Sequence, residues 1–255
     1  LNITILTYDT IDSTNTEALK QARSGADEGL CIVAREQTAG RGRHGRVWVS
    51  ESDAGLFFSI ILRPKLEPRF LPLITLACGV AVHDTLKEFG LSPDIKWVND
   101  ILVNEKKISG ILAETTETAK GLAVVVGIGI NIRTSNFPPE ISDTATSIEE
   151  ASARSNGHSR PVPSPEQLSQ VLSNYLVHFY EVLSGENGPA GIIEEWRKRS
   201  TYFSDKQVRV TMENATLEGI TDGMQENGAL RVRQTDGNIA IIQAGDVQRL
   251  RAAAK

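Results

Sequence analysis

Four clusters of residues in this chain combine types and spacings that could do chemistry. The first is the run Gly40, Arg41, Gly42, Arg43, His44 and Gly45, closed by Arg46. Its glycines let the backbone wrap closely around a ligand, and its three arginines have no acid among them. Guanidinium forks suit carboxylate and phosphate oxygens, so the run reads as an anion clamp. A solvated basic turn is the plainer alternative. The spacing also fits G-x-G-x-x-G, but a dinucleotide site needs a helix to follow, and Val47 to Ser50 look β-like. Trp48, beside the clamp, serves either the core or a ligand ring.

The second cluster is Lys96, Trp97, Val98, Asn99 and Asp100, which puts a cation, an amide and a carboxylate in one short strand–turn–strand. It is either an ordinary Asn-Asp turn or a site in which Asp100 binds magnesium or orients a nucleophile. The third is Lys106 to Gly110. Lys107 enters an apolar strand, which is costly unless an anion meets it, and Gly110 implies close approach by a ligand or another backbone. The fourth is Asp12, Ser13, Thr14 and Asn15 at a helix start. Capping explains Thr14 and leaves Ser13 and Asn15 to hold a polar ligand head. Asn131 either contacts a base or closes a turn. The four histidines show no metal-ligand spacing with the cysteines, and neither a nucleophile elbow nor a Walker A run is present.

The elements that must position these clusters follow from periodicity. Strands are expected at 2–8, 29–36, 56–62, around 96–98 and 101–103, at 106–115 and at 121–132. A capping box of Thr14 with Glu17 opens a helix to about Arg23, and a deeply buried helix runs from Pro72 to about Phe89, with Gly90 as its stop. Residues 134–163 read as a long loop with a short helix near Ser147–Ala151, before helices at Pro165–Leu183 and Pro189–Lys198. After Ser204 the pattern becomes all-β, with strands at 207–212, 215–221, 229–234 and 238–243 and turns at Asn227-Gly228 and Asp236-Gly237. This predicts an α+β chain: a domain over 1–204 and a small barrel over 205–255.

Composition narrows the function. The 255 residues carry 27 Lys+Arg against 32 Asp+Glu, a net charge of -5. Bulk charge therefore does not hold the chain to DNA, and any anion must be met by a local basic cluster. The tail from 205 holds seven basic and seven acidic residues, so the negative excess lies in the larger part. Cys31 and Cys78 both lie in apolar runs, which fits a reducing compartment. No secretory signal is visible at the N-terminus, and the apolar run 121–132 is too short to span a bilayer as a helix. A cytoplasmic protein with no membrane or DNA partner is expected.

Taken together and in order, the motifs resemble those of the biotin–protein ligases: Asp12 to Asn15, Gln37 to Arg46, Lys96 to Asp100, Lys107 to Glu114, Gly127 to Asn131, and the small C-terminal β domain. The resemblance implies a mixed-sheet catalytic domain of the class II aminoacyl-tRNA-synthetase type with an SH3-like barrel. It implies formation of biotinyl-5′-AMP from biotin and ATP with Mg2+, then transfer of biotin to a lysine of a carboxylase's biotin carboxyl carrier domain. Carried over by motif, Ser13, Thr14, Asn15, Gln37, Gly40, Arg41, Gly42, Arg43, Lys107 and Gly110 would surround biotin, with Gly110 leaving it room. Arg41, Arg43, Arg46, Trp48, Asn99 and Asn131 would meet ATP, and Lys107, Asp100 and Arg43 would be catalytic, with Asp100 also holding the metal. Val98 stands where the family usually has Pro. The family often pairs through its central sheet, so a homodimer is possible. The chain begins at the first catalytic strand, and a ligase without a DNA-binding headpiece is expected. A lipoate ligase, a non-enzymatic ligand sensor and a dinucleotide oxidoreductase are the competing readings.

Overall fold

The computed structural model describes residues 1–134, 137–153 and 161–249. The larger body is built on a seven-stranded mixed sheet. Its strands in chain order are β1 (Thr4–Ile11), β2 (Leu30–Gln37), β3 (Gly55–Leu62), β4 (Pro93–Lys96), β5 (Asp100–Val103), β6 (Lys106–Thr118) and β7 (Gly121–Asn131). They lie in the order β1-β2-β3-β7-β6-β5-β4. The β1–β2 pair is parallel and the others are antiparallel.

Side-chain alternation explains the layers. On β2, β3 and β7, Ile32, Ile61, Ala123 and Val125 pack beneath helix α1 (Thr14–Arg23) with Ala18, Leu19 and Ala22. The intervening Cys31, Ile60, Val124 and Val126 face the opposite layer, made by α2 (Pro72–Glu88), α4 (Pro165–Ser184) and α5 (Gly188–Arg197). Coverage on both faces is why every residue of β3 is buried. The segment Pro68–Glu88 is long and apolar enough to cross a membrane, yet most of it is buried as a core helix. Helix α4 starts on a full capping box, in which Ser164 Oγ accepts from Gln167 N–H and the Gln167 side chain accepts from Ser164 N–H.

The second body is an antiparallel sheet of five strands: β8 (Ser204–Thr211), β9 (Thr216–Met224), β10 (Leu230–Arg233), β11 (Ile239–Ile242) and β12 (Asp246–Arg249). Its order is β11-β10-β9-β8-β12. Val208, Val210, Leu230, Val232, Ile242 and Val247 form a core continuous with that of the larger body. The sequence pattern predicts four of these strands and misses β12, whose Asp-Val-Gln-Arg run is too short and polar to signal itself and is made by pairing with β8.

Three local expectations change. Ser13, not Thr14, is the N-cap residue of α1, and its side chain makes no capping bond. The polar side chains at this helix start are turned to other partners. The strand expected at 96–98 ends at Lys96, because Trp97 leaves the ladder to bury its ring and donate from Nε1 to Gly228 O across the domain boundary at 3.0 Å. Part of the expected loop at 134–163 is structured. Residues 137–147 form turns and a strap on β6, where Lys107 N–H donates to Thr144 O at 2.7 Å and Thr146 N–H donates to Lys107 O at 2.9 Å. Helix α3 (Ile148–Ala153) follows; the rest of that expected loop, 135–136 and 154–160, lies outside the described residues.

Candidate active site

A single polar network occupies the N-terminal end of α1. Ser13, Thr14 and Asn15 are all buried there. Thr14 donates from both N–H and Oγ1 to Gln37 Oε1, at 2.8 and 3.1 Å, and Gln37 Nε2 donates to Ser50 Oγ at 2.8 Å. Beneath them Ser59 Oγ lies 2.6 Å from Asn15 Oδ1 and 2.8 Å from Thr14 Oγ1. Asn15 Nδ2 donates to Leu112 O at 3.2 Å and to Glu114 Oε2 at 2.9 Å. A cavity of about 60 Å³ is lined by these α1 residues together with Gln37, Arg41, Arg43, Trp48, Lys107 and Gly110. Sequence reasoning brings Ser13, Thr14, Asn15 and Gln37 to one place correctly. It misses Ser50, Ser59 and Glu114. Ser59 had a readable signal, being the one polar residue in the run Leu56 to Leu62.

The glycines near this pocket serve close packing. A Cβ on Gly110 would stand 2.9 Å from the Trp48 ring and 3.0 Å from Lys107 Cε. One on Gly129 would strike the same indole, and one on Gly127 would strike the Asn15 amide. Gly110 thus lines the pocket, and its missing side chain also admits the Trp48 ring and the Lys107 stem. Trp48 Nε1 is buried without a hydrogen-bond partner, in the wall shared by this pocket and a larger cavity.

The Gly/Arg run is a tight hairpin, not the start of a helix. Arg41 bridges to Val47, Gly42 N–H donates to Arg46 O at 2.7 Å, and Trp48 N–H donates to Gly40 O at 3.0 Å. His44 and Gly45 turn the tip in the left-handed region at φ of 55° and 73°. This removes the geometry a dinucleotide fingerprint needs. The structure brings partners to the three arginines from elsewhere in the chain. Arg41 pairs with Glu114 and donates to Thr16 Oγ1 at 3.3 Å. Arg43 Nη1 donates to Asn99 Oδ1 at 3.0 Å, and Arg46 pairs with Asp246 of β12. The two acids that complete the hairpin lie 73 and 200 residues away in sequence.

Lys96, Asp100 and Lys107 form a linear ion cluster. Lys96 Nζ is 2.8 Å from Asp100 Oδ2, and Lys107 Nζ is 2.6 Å from Asp100 Oδ1. Burial pushes the Asp100 carboxyl up, but Lys107 and Lys96 outweigh it and hold the group below the usual carboxylate range. Lys107 Nζ also lies 5.6 Å from the centre of the Trp48 ring. Asp100, the expected metal ligand, is engaged by two lysines in this structure. Both of its oxygens face ammonium groups, and no cluster of three or more His, Cys, Asp or Glu side chains able to hold a metal occurs among the described residues. Asn99 donates to Ile111 O at 3.0 Å. Asn131 Nδ2 donates to Thr146 O at 2.9 Å, tying the strap to the end of β7.

Next to this cluster opens a cavity of about 670 Å³, bounded by the hairpin, β4–β5, the strap and β12. Its lining carries the cations Arg43, Arg46, Lys96, Lys107 and Arg249 and the acids Asp100, Glu105, Glu140 and Asp246. Arg43, Trp48, Asn99 and Lys107 line both spaces, so the cavities meet at Lys107. The arrangement can hold a small, neutral polar ring at one end and bring an anionic tail to a second, larger anion at the other.

Comparison with known proteins gives a consistent result. Residues 7–131 match the model described as Biotin/lipoate A/B protein ligase family, and residues 203–250 match Biotin protein ligase C terminal domain. The biotin–[acetyl-CoA-carboxylase] ligase of Paracoccus denitrificans is 33% identical over 244 residues, covering 92% of this chain and 96% of the relative. The bifunctional ligase/repressor BirA of Bacillus subtilis (strain 168) is 32% identical over 248 residues, covering 96% of this chain and 73% of the relative. The structure of the Aquifex aeolicus biotin protein ligase in complex with biotin and ATP superposes with a TM-score of 0.81 at 25% identity, covering 96% of this chain and 99% of that one.

Proposed function

Because the chain belongs to the biotin protein ligase family and acts as a biotin–[acetyl-CoA-carboxylase] ligase that forms biotinyl-5′-AMP, we propose that its two joined cavities divide that reaction between them. The observation that carries this division is Lys107, whose side chain lines both. In the small pocket Ser13, Thr14, Asn15 and Gln37 bind the ring of biotin, and its valeryl chain runs past Trp48 and brings the carboxylate to Lys107. The large cavity takes ATP, with Arg43 and Arg46 near its phosphates and Trp48, Asn99 and Asn131 along the nucleotide.

Lys107 then exchanges its Asp100 partner for the substrate anions. The biotin carboxylate attacks the α-phosphorus of ATP, pyrophosphate leaves, and fixed cations lower the repulsion between two anions brought into reacting distance. Magnesium bound with ATP would neutralise charge on the phosphates, and it would need few protein ligands because such an ion keeps most of its waters. Asp100 Oδ1, released by Lys107, accepts from the incoming lysine amine of the carrier domain. That amine attacks the acyl carbon and AMP leaves. The hairpin over the adenylate keeps water from hydrolysing it.

We further propose a homodimer formed through the outer edge of β6, since residues 112–118 pair only with β7 among the described strands. A cytoplasmic setting is supported by the two free, buried thiols. The direct test is pyrophosphate release from ATP and magnesium in the presence of biotin, followed by label transfer to an apo carrier domain. Both are expected. Thermal stabilisation by lipoate and not by biotin would overturn the substrate, and binding without pyrophosphate release would make the chain a sensor.

A further inference from the structure

We infer that Glu114 is a positioning residue that couples the wall of the biotin pocket to the hairpin covering it. The inference rests on the function proposed above. Glu114 lies on β6, with about a quarter of its side chain exposed, and its two carboxylate oxygens go in different directions. Oε2 accepts from Asn15 Nδ2 at 2.9 Å, on the first turn of α1. Oε1 pairs with Arg41, the residue whose bridge to Val47 closes the base of the hairpin.

The link is geometrically determined at the Asn15 end. The amide oxygen of Asn15 faces Ser59 Oγ at 2.6 Å, its Nδ2 donates to both Leu112 O and Glu114, and Gly127 closes against it. Rotating the amide would set its oxygen against the Glu114 carboxylate. A ligand that contacts Asn15 therefore acts on Glu114, and through it on the guanidinium that roots the hairpin. The same guanidinium reaches Thr16 Oγ1 at 3.3 Å, one residue beyond Asn15, so Arg41 is held from two sides of the pocket mouth. This assigns Arg41 a different task from that of a direct anion clamp. Its guanidinium is met by Glu114, so the root of the hairpin is tied to the pocket wall.

The test is retention of ligands inside the pocket. Glu114→Gln is isosteric and preserves an acceptor for Asn15 while removing the charge that Arg41 meets. Biotin dissociation, followed by chase with unlabelled biotin, and leakage of preformed biotinyl-5′-AMP, followed as labelling of a bystander protein, are each expected to accelerate about ten- to a hundredfold, the range for losing a charge-assisted hydrogen bond. The KM for ATP should move less than the rate of biotin loss, since neither Glu114 nor Arg41 lines the large cavity. Arg41→Gln reads the same link from the loop, where no sheet residue changes, and should leak to the same extent. The double variant should leak no more than either single one. Unchanged leakage in Arg41→Gln, or additive effects in the double variant, would overturn the coupling. Failure of the parent chain to release pyrophosphate would instead overturn the function on which it rests.

Discussion

The two joined cavities are built from opposite materials. The pocket at the start of α1 is floored by a net of neutral groups, where Thr14, Asn15, Gln37, Ser50 and Ser59 meet one another within 2.6 to 3.1 Å, and its charged residues stand at the rim. The cavity between the two domains is lined by charged side chains on the hairpin, four strands, the β5–β6 turn and the strap. A net of neutral hydrogen bonds discriminates, because a ligand that fails to replace a lost bond leaves a buried group unpaired. Opposed charges in a larger space tolerate variation in what they hold and act chiefly by stabilising developing charge. Lys107 stands at the boundary and belongs to the second kind. Lys107→Ala is therefore the most severe way to break the comparison. It should cost about 2–5 kcal/mol in kcat/KM for adenylate formation, the penalty for leaving a desolvated charge unpaired. Biotin dissociation should change far less. An adenylation rate equal to that of the parent chain would place Lys107 outside the chemistry.

Charge in this molecule is not all catalytic, and a network away from the cleft sharpens the contrast. Asp84 on α2 meets Arg199 in two bonds of 2.6 and 2.7 Å and His83 at 2.9 Å. Burial raises its pKa, but the His83 and Arg199 contacts win and bring it down to about 2. The folded value lies below that of an unfolded aspartate near 3.9. The pair's stabilisation is therefore complete above about pH 4 and is lost as the pH falls through about 2. Asp84→Asn should lower the unfolding free energy by about 2 kcal/mol at pH 7 with kcat unchanged. Urea titrations at pH 7 and at pH 2 check this, and a deficit as large at the lower pH would point to packing instead of charge.

The neutral net has its own probe. Ser59 is fully buried and lies under both Thr14 and Asn15. Ser59→Ala should raise the KM for biotin by the equivalent of about 1–2 kcal/mol, because two oriented groups lose their common partner. The KM for ATP should stay within about twofold. Equal rises in both constants would mean that the two cavities are not separately built.

These probes also show what the sequence could disclose. Ser13 to Asn15, Arg41 to Arg46, Lys96 to Asp100 and Lys107 to Gly110 were legible because each group is local in the chain, and its glycines, cations and amides are odd for the element that carries them. The sheet was legible from its apolar runs, with β3 interrupted only by Ser59 and β7 apolar up to Asn131. The partners were not legible. Glu114 and Asp246 are ordinary acids on ordinary strands, made specific only by folds that bring them 73 and 200 residues back to Arg41 and Arg46. The same holds for Trp97, whose hydrogen bond to Gly228 spans 131 residues. A run such as Arg41 to Arg46 looks free of acid in sequence because its acids are supplied by topology.

The pair of Arg46 with Asp246 is the mildest test of the contrast and bears on the domain boundary itself. The arginine side chain is 67% exposed and the aspartate 32% exposed, so water screens the attraction and an isolated pair of this kind contributes about 0–1 kcal/mol. Its position gives it a further consequence. It ties the far end of the hairpin to β12, across the mouth of the cavity that takes ATP. Asp246→Asn keeps the shape and releases the tie, so the hairpin must be ordered at the expense of nucleotide binding. The KM for ATP should rise by less than about fivefold at low ionic strength. At about 1 M salt, where screening acts within about 3 Å, the parent chain should rise to meet the variant. The KM for biotin should move less, because Asp246 lines only the large cavity. A difference that survives high salt would assign Asp246 a direct contact with the nucleotide instead of a hold on the hairpin.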